Sequence, residues 1–286
     1  MARRARWVRI DLEAIPGYAR SLPVAEFRPA LDPDTHVLGD AGFILALDAV
    51  NFGSGYFPFL RKRDGRSGYF HVARALKEAW PLTPARLAVI TSADCRAIFD
   101  QPAEGPAAEL MELFAGAWQA FGRHLVERHR GSFEALLEAA AHDAERLAGL
   151  LAEIPFFDDV HDYRGLRVPL YKRAQIAPAD LELSVGGIRG LDRLTMFADN
   201  LVPHVLHLDG VLAFDEILAE RIEREELLSS GSEEEVEMRA CAVHAVELIR
   251  AEVGRTAMEL DHLLWNRGQG ARYKARPRPR CRSVFY

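Results

Sequence analysis

Apolar positions recur at helical spacing along most of the chain. Phe133, Leu136, Leu137, Ala140, Ala144, Leu147, Leu151 and Ile154 fall on one stripe, which predicts a helix over 132–154. A second long pattern covers 107–129. Val236, Cys241, Val243, Ala245, Val246 and Ile249 form a buried stripe behind a capping box of Ser232 and Glu235. Thr256 and Glu259 repeat that box before the next helix. Shorter helices are predicted over 6–21 (Trp7, Ile10, Leu12, Ile15 and Tyr18 inward, weakened by Pro16), over 70–80 before Pro81, and from Thr83-Pro84. Others begin at Ser92 with Asp94, run over 168–176, and extend from Glu216 to about Leu228 behind Asp215. Alternating strand patterns are scarce and no internal repeat is found, so the class is all-α. One domain over 1–286 is expected, with the loops near 100–106 and 155–167 as the places where it could subdivide.

Within this helical pattern, residues 171–210 stand apart. They read as helix, glycine hinge (Gly186, Gly187, Gly190), helix, and then one acid, Asp199, in the apolar turn FADNLVPHVL. A carboxylate beside Phe197, Ala198, Leu201 and Val202 is costly to desolvate unless it is paired or used. The plain alternative is that Asp199 caps the helix that follows. A second unusual stretch is LDAVNFGSGYFPF at 47–59, where Asp48 and Asn51 lie in an apolar, glycine-broken and aromatic setting. Such aromatics serve as core or as a stacking platform for a planar ring.

Composition narrows the chemistry. The 286 residues carry a net charge of −6, which argues against a general nucleic-acid surface but leaves room for a local anion site. Cys95, Cys241 and Cys281 are isolated from one another, which fits a reducing, cytosolic setting and no cysteine-rich zinc site. No signal peptide and no membrane-length apolar run is read. The acids Asp158, Asp159 and Asp162 with His161 read as a solvated loop before they read as a metal site. GxGxxG, GxxxxGK[ST], HExxH and GxSxG are all missing.

Several segments resemble the queuosine salvage family, the queuosine 5′-phosphate N-glycosylase/hydrolases. They are 47–59, YKRAQI (171–176), LTMFADNLVPHVL (194–206), LDGVLAF (208–214), GSEEEVEMRACAVHAVELI (231–249), ELDHLLWN (259–266) and RSVFY (282–286), in family order over nearly the whole chain. Gly53-Ser54 and Asn200 depart from the family pattern, which has bulkier residues there. The resemblance implies a fold similar to helix-hairpin-helix DNA glycosylases. It implies hydrolysis of the N-glycosidic bond of queuosine 5′-monophosphate to queuine and ribose 5-phosphate, without metal or cofactor, by a monomer with no stable nucleic-acid partner and no membrane. Asp199 is the implied catalytic acid. Asp261, His262 and Asn266 match the base-recognition segment, with Asp48, Asn51, Phe52, Phe197 and His36 as further base-binding candidates. Lys172 and Arg173 lead the phosphate-binding candidates, followed by Arg239, Lys274 and Tyr286.

Two other classes stay open on sequence alone. His142-Asp143 and His161-Asp162 could be the dyads of a helical metal-dependent phosphohydrolase, although 142–143 is read inside a regular helix. A non-catalytic protein that binds a modified base would show the same aromatic and acidic positions.

Overall fold

The computed structural model describes residues 1–63, 65 and 67–286. The chain is mainly helical. In order it forms β1 (Val8–Ile10), α1 (Ala14–Ser21), α2 (Ala41–Asp48), α3 (Gly68–Ala79), α4 (Pro84–Ala88), α5 (Ser92–Phe99), α6 (Pro106–Arg128), α7 (Phe133–Ala139) and α8 (Ala144–Ala152). There follow β2 (Val160–Tyr163), β3 (Leu166–Pro169), α9 (Lys172–Ser184), α10 (Leu201–Leu208), β4 (Leu212–Phe214) and α11 (Glu216–Glu223). β5 (Leu227–Leu228), α12 (Glu233–Val253), α13 (Ala257–Gly268), α14 (Ala271–Lys274) and β6 (Arg280–Cys281) complete it. The strands pair as β1–β4 and β2–β3, both antiparallel, and β5–β6, parallel.

Several expected helices are broken, each by a local cap or turn. The stripe over 132–154 is two helices. Ala141 and His142 adopt positive φ, and the Asp143 side chain caps α8 by accepting from the Arg146 amide. Leu136, Leu147, Leu151 and Ile154 are nonetheless all fully buried, so a periodicity argument sees no interruption. The helix expected over 6–21 starts only at Ala14, because the Asp11 carboxylate accepts from the Glu13 and Ala14 amides. Pro16 then falls in the first turn, where its missing N–H costs nothing. Val8–Ile10 instead pairs with Leu212–Phe214, and Leu12 is exposed. The loop and helix expected over 154–176 contain the β2–β3 hairpin, turning at Arg164 and Gly165, both with positive φ. After Gly186 and Gly187 no second helix forms: residues 191–193 make one tight turn and the chain continues without regular secondary structure to Asp199. α11 stops at Glu223, and Leu227–Leu228 becomes a strand. Thr91, not Ser92, caps α5. Thr256 and Glu259 form the full capping box, whereas Glu235 turns its carboxylate to the Gly231 amide.

The chain divides into two compact units. The first comprises Met1–Ala30, Asp159–Lys172 and Asp192–Arg282. Its core is the inner face of α12 with α1, α10 and α13, through Val202, Val205, Leu206, Cys241, Val246, Ile249, Leu260 and Leu264. Glu237, fully buried on α12, fastens the N-terminal strand by accepting from the amides of Arg6, Trp7 and Val8 and from the Tyr163 hydroxyl.

The second unit comprises Leu31–Asp158, Arg173–Leu191 and Ser283–Tyr286. α6 runs through it, carrying the fully buried Phe114, Trp118 and Phe121, and the Trp118 indole donates to the Ala46 carbonyl at 2.7 Å. α4 crosses α6 at Gly122, where a Cβ would lie 2.3 Å from the Ala88 backbone nitrogen. Backbone cannot yield as a side chain does, so Gly122→Ala is expected to cost roughly 1–3 kcal/mol in urea unfolding. Gly149→Ala, on an open face of α8, should instead stabilise by about 0.5–1 kcal/mol.

Candidate active site

The first unit builds a site around Asp199. The segment 197–200 lies outside regular secondary structure, so its backbone amides and carbonyls need partners from elsewhere. Three buried side chains provide them or fix the segment's neighbours. Asp261, on α13, accepts from the Phe197 amide at 3.0 Å. Arg239, on α12, donates from Nε to the Ala198 carbonyl at 2.8 Å. Asn200 donates to the Pro279 carbonyl at 2.7 Å, which ties the tail segment 276–282 beside the turn.

Asp199 itself is held by its own helix. Its Oδ1 accepts from the Leu201 and Val202 amides at 2.9 and 3.0 Å, so the capping role expected from sequence is present. Among the described residues no hydrogen bond reaches Oδ2. Part of the side chain meets solvent, yet desolvation raises its pKa above the usual carboxylate value. The two amides and the charges of Lys172 and Arg278 work against that rise. One oxygen is thus anchored, the other is available, and two cations stand on the same side of the balance.

Arg239 is the hub beneath this turn. It is fully buried, and its guanidinium also meets both oxygens of Asp159 and Glu235 Oε1. Asp159 further accepts from His161 at 2.9 Å and from the Lys172 amide at 3.1 Å. The acidic loop expected to be solvated is therefore half interior: Asp158 is exposed, while Asp159 and His161 are buried. Burial alone pushes the Asp159 carboxyl up, but the Arg239 charge and the hydrogen bonds from His161, Arg239 and Lys172 outweigh it and hold it at about 2.

The other expected site residues fall in varied places. Phe197 is buried, with its ring 6.1 Å from that of His262. Asn266 is exposed near the end of α13, and Lys274 is exposed at the end of α14. Arg239, expected as a phosphate donor, has its guanidinium engaged by carboxylates and a carbonyl, since a buried cation needs such partners. In the second unit Arg173 is equally committed: it donates to the carbonyls of Asp48, Ala49, Phe156 and Val284, and lies 4.7 Å from the ring centroids of Phe52 and Phe157. Phe52 also packs against Phe114 and Phe156, so its ring is part of an aromatic core. Asp48 is buried at the end of α2 and accepts from Asn51. Tyr286 is buried, its backbone oxygen accepting from the Gly53 amide. His36 accepts at Nδ1 from the Asp32 amide, which leaves Nε2–H to face Asp180 at 3.4 Å.

Sequence reasoning missed Arg278. It sits in the run RPRPR, which reads as a solvated tail. The tail is fixed instead by the β5–β6 pairing, by Arg276 with Glu223, and by Asn200 on Pro279. The alternating prolines Pro277 and Pro279 are a local sign of that order.

A family model described as queuosine salvage protein matches residues 31–286. The chain belongs to that family. Queuosine salvage relatives include a protein of Sphaerobacter thermophilus, 36% identical over 95% of this chain and 86% of its own. One from Dictyostelium discoideum is 33% identical over 86% and 78%, and one from Mus musculus is 30% identical over 86% and 81%. Each of these relatives bears the name queuosine 5′-phosphate N-glycosylase/hydrolase. Against the metal-dyad alternative, no group of three or more His, Cys, Asp or Glu side chains is arranged to hold a metal among the described residues of this family member. His161 serves Asp159, and Asp162 holds the hairpin turn through the Gly165 amide.

The Asp159 carboxylate gives an acid signature. Its pKa lies below the unfolded value of 3.8, so its stabilisation is present above about pH 4 and is lost as pH falls towards 2. The loss is about 2 kcal/mol for this group. Urea unfolding across that range should show the fall, and Asp159→Asn should be less stable at neutral pH and lack that limb.

Proposed function

We propose that this chain hydrolyses the N-glycosidic bond of queuosine 5′-monophosphate, with Asp199 as its catalytic carboxylate. The observation that carries the reading is the Asp199 turn: one oxygen anchored by two helix amides, the other unengaged, in a desolvated setting within a protein whose relatives bear the glycosylase name.

In the reaction the C1′–N bond breaks with its electron pair leaving on the base. Positive charge develops on the sugar as an oxocarbenium-like centre. A fixed carboxylate in a poorly solvated site stabilises that charge because it needs no reorganisation as the bond opens. Water then supplies oxygen to C1′, and its proton balances the base anion. A 7-deazapurine has no N7 to protonate, so stabilising the sugar cation carries more of the barrier than in ordinary purine cleavage. Asp261 and Phe197, tied to each other through the Phe197 amide, are the proposed base-contacting pair, with His262 beside them.

The phosphate role moves to Lys172 and Arg278. Both exert their charge at Asp199, where the 5′-phosphate of a substrate seated against that acid would lie. Lys274, exposed at the end of α14, is a weaker candidate. The proposal includes a monomer acting in the cytosol, without cofactor and without a nucleic-acid partner, in keeping with the net charge of −6. It also keeps the kinship with helix-hairpin-helix glycosylases, supported by the mainly helical chain and by an acid placed beyond a glycine-rich turn.

The deciding experiment incubates the purified chain with queuosine 5′-monophosphate, with and without EDTA, and reads products by mass spectrometry. Free queuine in the presence of EDTA is expected. Inorganic phosphate lost on chelation would indicate the phosphohydrolase instead, and a stable complex without products a binding protein. Asp199→Asn should lower kcat by at least about 10²–10³ while ligand binding persists. Because the ionised acid acts and its pKa is raised, kcat should climb with pH through a midpoint above the ordinary Asp range, a limb missing in the variant. Lys172→Met and Arg278→Ala should each raise KM for the nucleotide by roughly 10–100-fold and leave the unphosphorylated nucleoside little affected.

A further inference from the structure

Asn200 occupies the N-cap position of α10, where an asparagine side chain ordinarily accepts from the first helix amides. It makes no such bond. The neighbouring Asp199 accepts from those amides instead. The Asn200 side chain turns away and donates from Nδ2 to the Pro279 carbonyl at 2.7 Å, with both residues buried. Each of the two directly follows a group assigned to the reaction: Asn200 follows Asp199, and Pro279 follows Arg278. One buried hydrogen bond therefore sets the spacing between the acid and the phosphate arginine.

The strap that carries Arg278 is stiff. Pro277 and Pro279 fix their own φ, and each biases the residue before it, Arg276 and Arg278, towards an extended backbone. A stiff segment is placed by few anchors. On one side of Arg278, Arg276 pairs with Glu223 at the exposed surface, which contributes little. On the other side, β6 is only two residues long. The Asn200 bond is the buried anchor next to Arg278 itself. Pro279 has no N–H, so its carbonyl is the one backbone group through which it can be held. The charges of Asp199 and Arg278 act on each other, in keeping with this placement.

We propose that Asn200 is a positioning residue for substrate selection. Through the Pro279 carbonyl it holds Arg278 where a 5′-phosphate lies when the sugar is seated against Asp199, and so it sets the preference for nucleotide over nucleoside. The inference rests on the hydrolase reading and on the phosphate role of Arg278. Without the bond the strap reaches the productive position only part of the time, and apparent affinity for the nucleotide falls by that fraction. A strap in place one tenth of the time raises KM roughly 10-fold.

The test measures kcat and KM for queuosine 5′-monophosphate and for queuosine in the full-length chain, as wild type and as Asn200→Leu, a change of similar volume that removes the donor. The nucleotide-to-nucleoside ratio of kcat/KM is expected to fall roughly 10-fold, carried by KM for the nucleotide. In an Arg278→Ala background the same substitution should lower the ratio no further, because residues acting through one contact are not additive. Pro277→Ala, at a half-buried position, loosens the strap without touching the buried amide and should lower the ratio in the same direction, so the test does not depend on Asn200→Leu folding. An unchanged ratio, an equal loss towards both substrates, or a second full loss on top of Arg278→Ala would overturn the inference. Wild type that releases queuine equally well from both substrates would remove the phosphate role of Arg278 and this inference with it. Wild type that releases queuine from neither would overturn the hydrolase reading itself, so the two failures are distinct.

Discussion

Everything near Asp199 depends on one buried guanidinium. Arg239 has no exposed surface, and neither, in effect, do its partners Asp159 and Glu235. Placing three charges in the interior is tolerable only because each is met by another charge or by a hydrogen bond, and removal of any one would leave the rest uncompensated. One further bond of Arg239 gives the cluster a consequence for chemistry. Arg239 Nε reaches the Ala198 carbonyl, so the residue before the catalytic candidate is held by the same ion network that joins α12 to the β2–β3 hairpin.

α12 performs this work on a polar inner face. In GSEEEVEMRA, Glu235, Glu237 and Arg239 all point inward: one pair grips the hairpin and the Asp199 turn, and Glu237 collects three amides of the N-terminal strand and the Tyr163 hydroxyl. This motif, one of two segments specific to the family, thus forms a buried scaffold beside the Asp199 turn. Arg173 does comparable duty in the second unit, where four carbonyls converge on its guanidinium. In both cases arginine suits the position because its planar fork satisfies several acceptors at once and stays charged when buried.

Asp199 is balanced between two tendencies. Helix amides and nearby cations favour its ionised form, and desolvation disfavours it, with desolvation the larger influence. A carboxylate in that condition carries, when ionised, a charge that is poorly solvated. That combination lets it interact strongly with positive charge appearing at an adjacent carbon. The raised pKa and the capping bonds are therefore two aspects of one arrangement: the cap fixes the position of one oxygen, and the environment strengthens what the other can do.

The sequence by itself determined the mainly helical class, most helix starts with side-chain caps, and the singular character of Asp199. These are local properties: a stripe at period 3.6, an Asp or Thr before it, an acid among apolar neighbours. It also carried the family resemblance across nearly the whole chain. Tertiary structure decided where helices break, because Ala141, His142 and Asp143 meet Arg189, a partner far along the chain that no periodicity reveals. It decided that Arg173 and Arg239 are interior struts, since whether an arginine faces carbonyls or solvent depends on distant segments. It likewise brought Arg278 to Asp199, by pinning a proline-rich tail through Asn200 and a two-residue strand. Helix and cap are written within a few residues, whereas the partners of a buried charge are chosen by the fold as a whole.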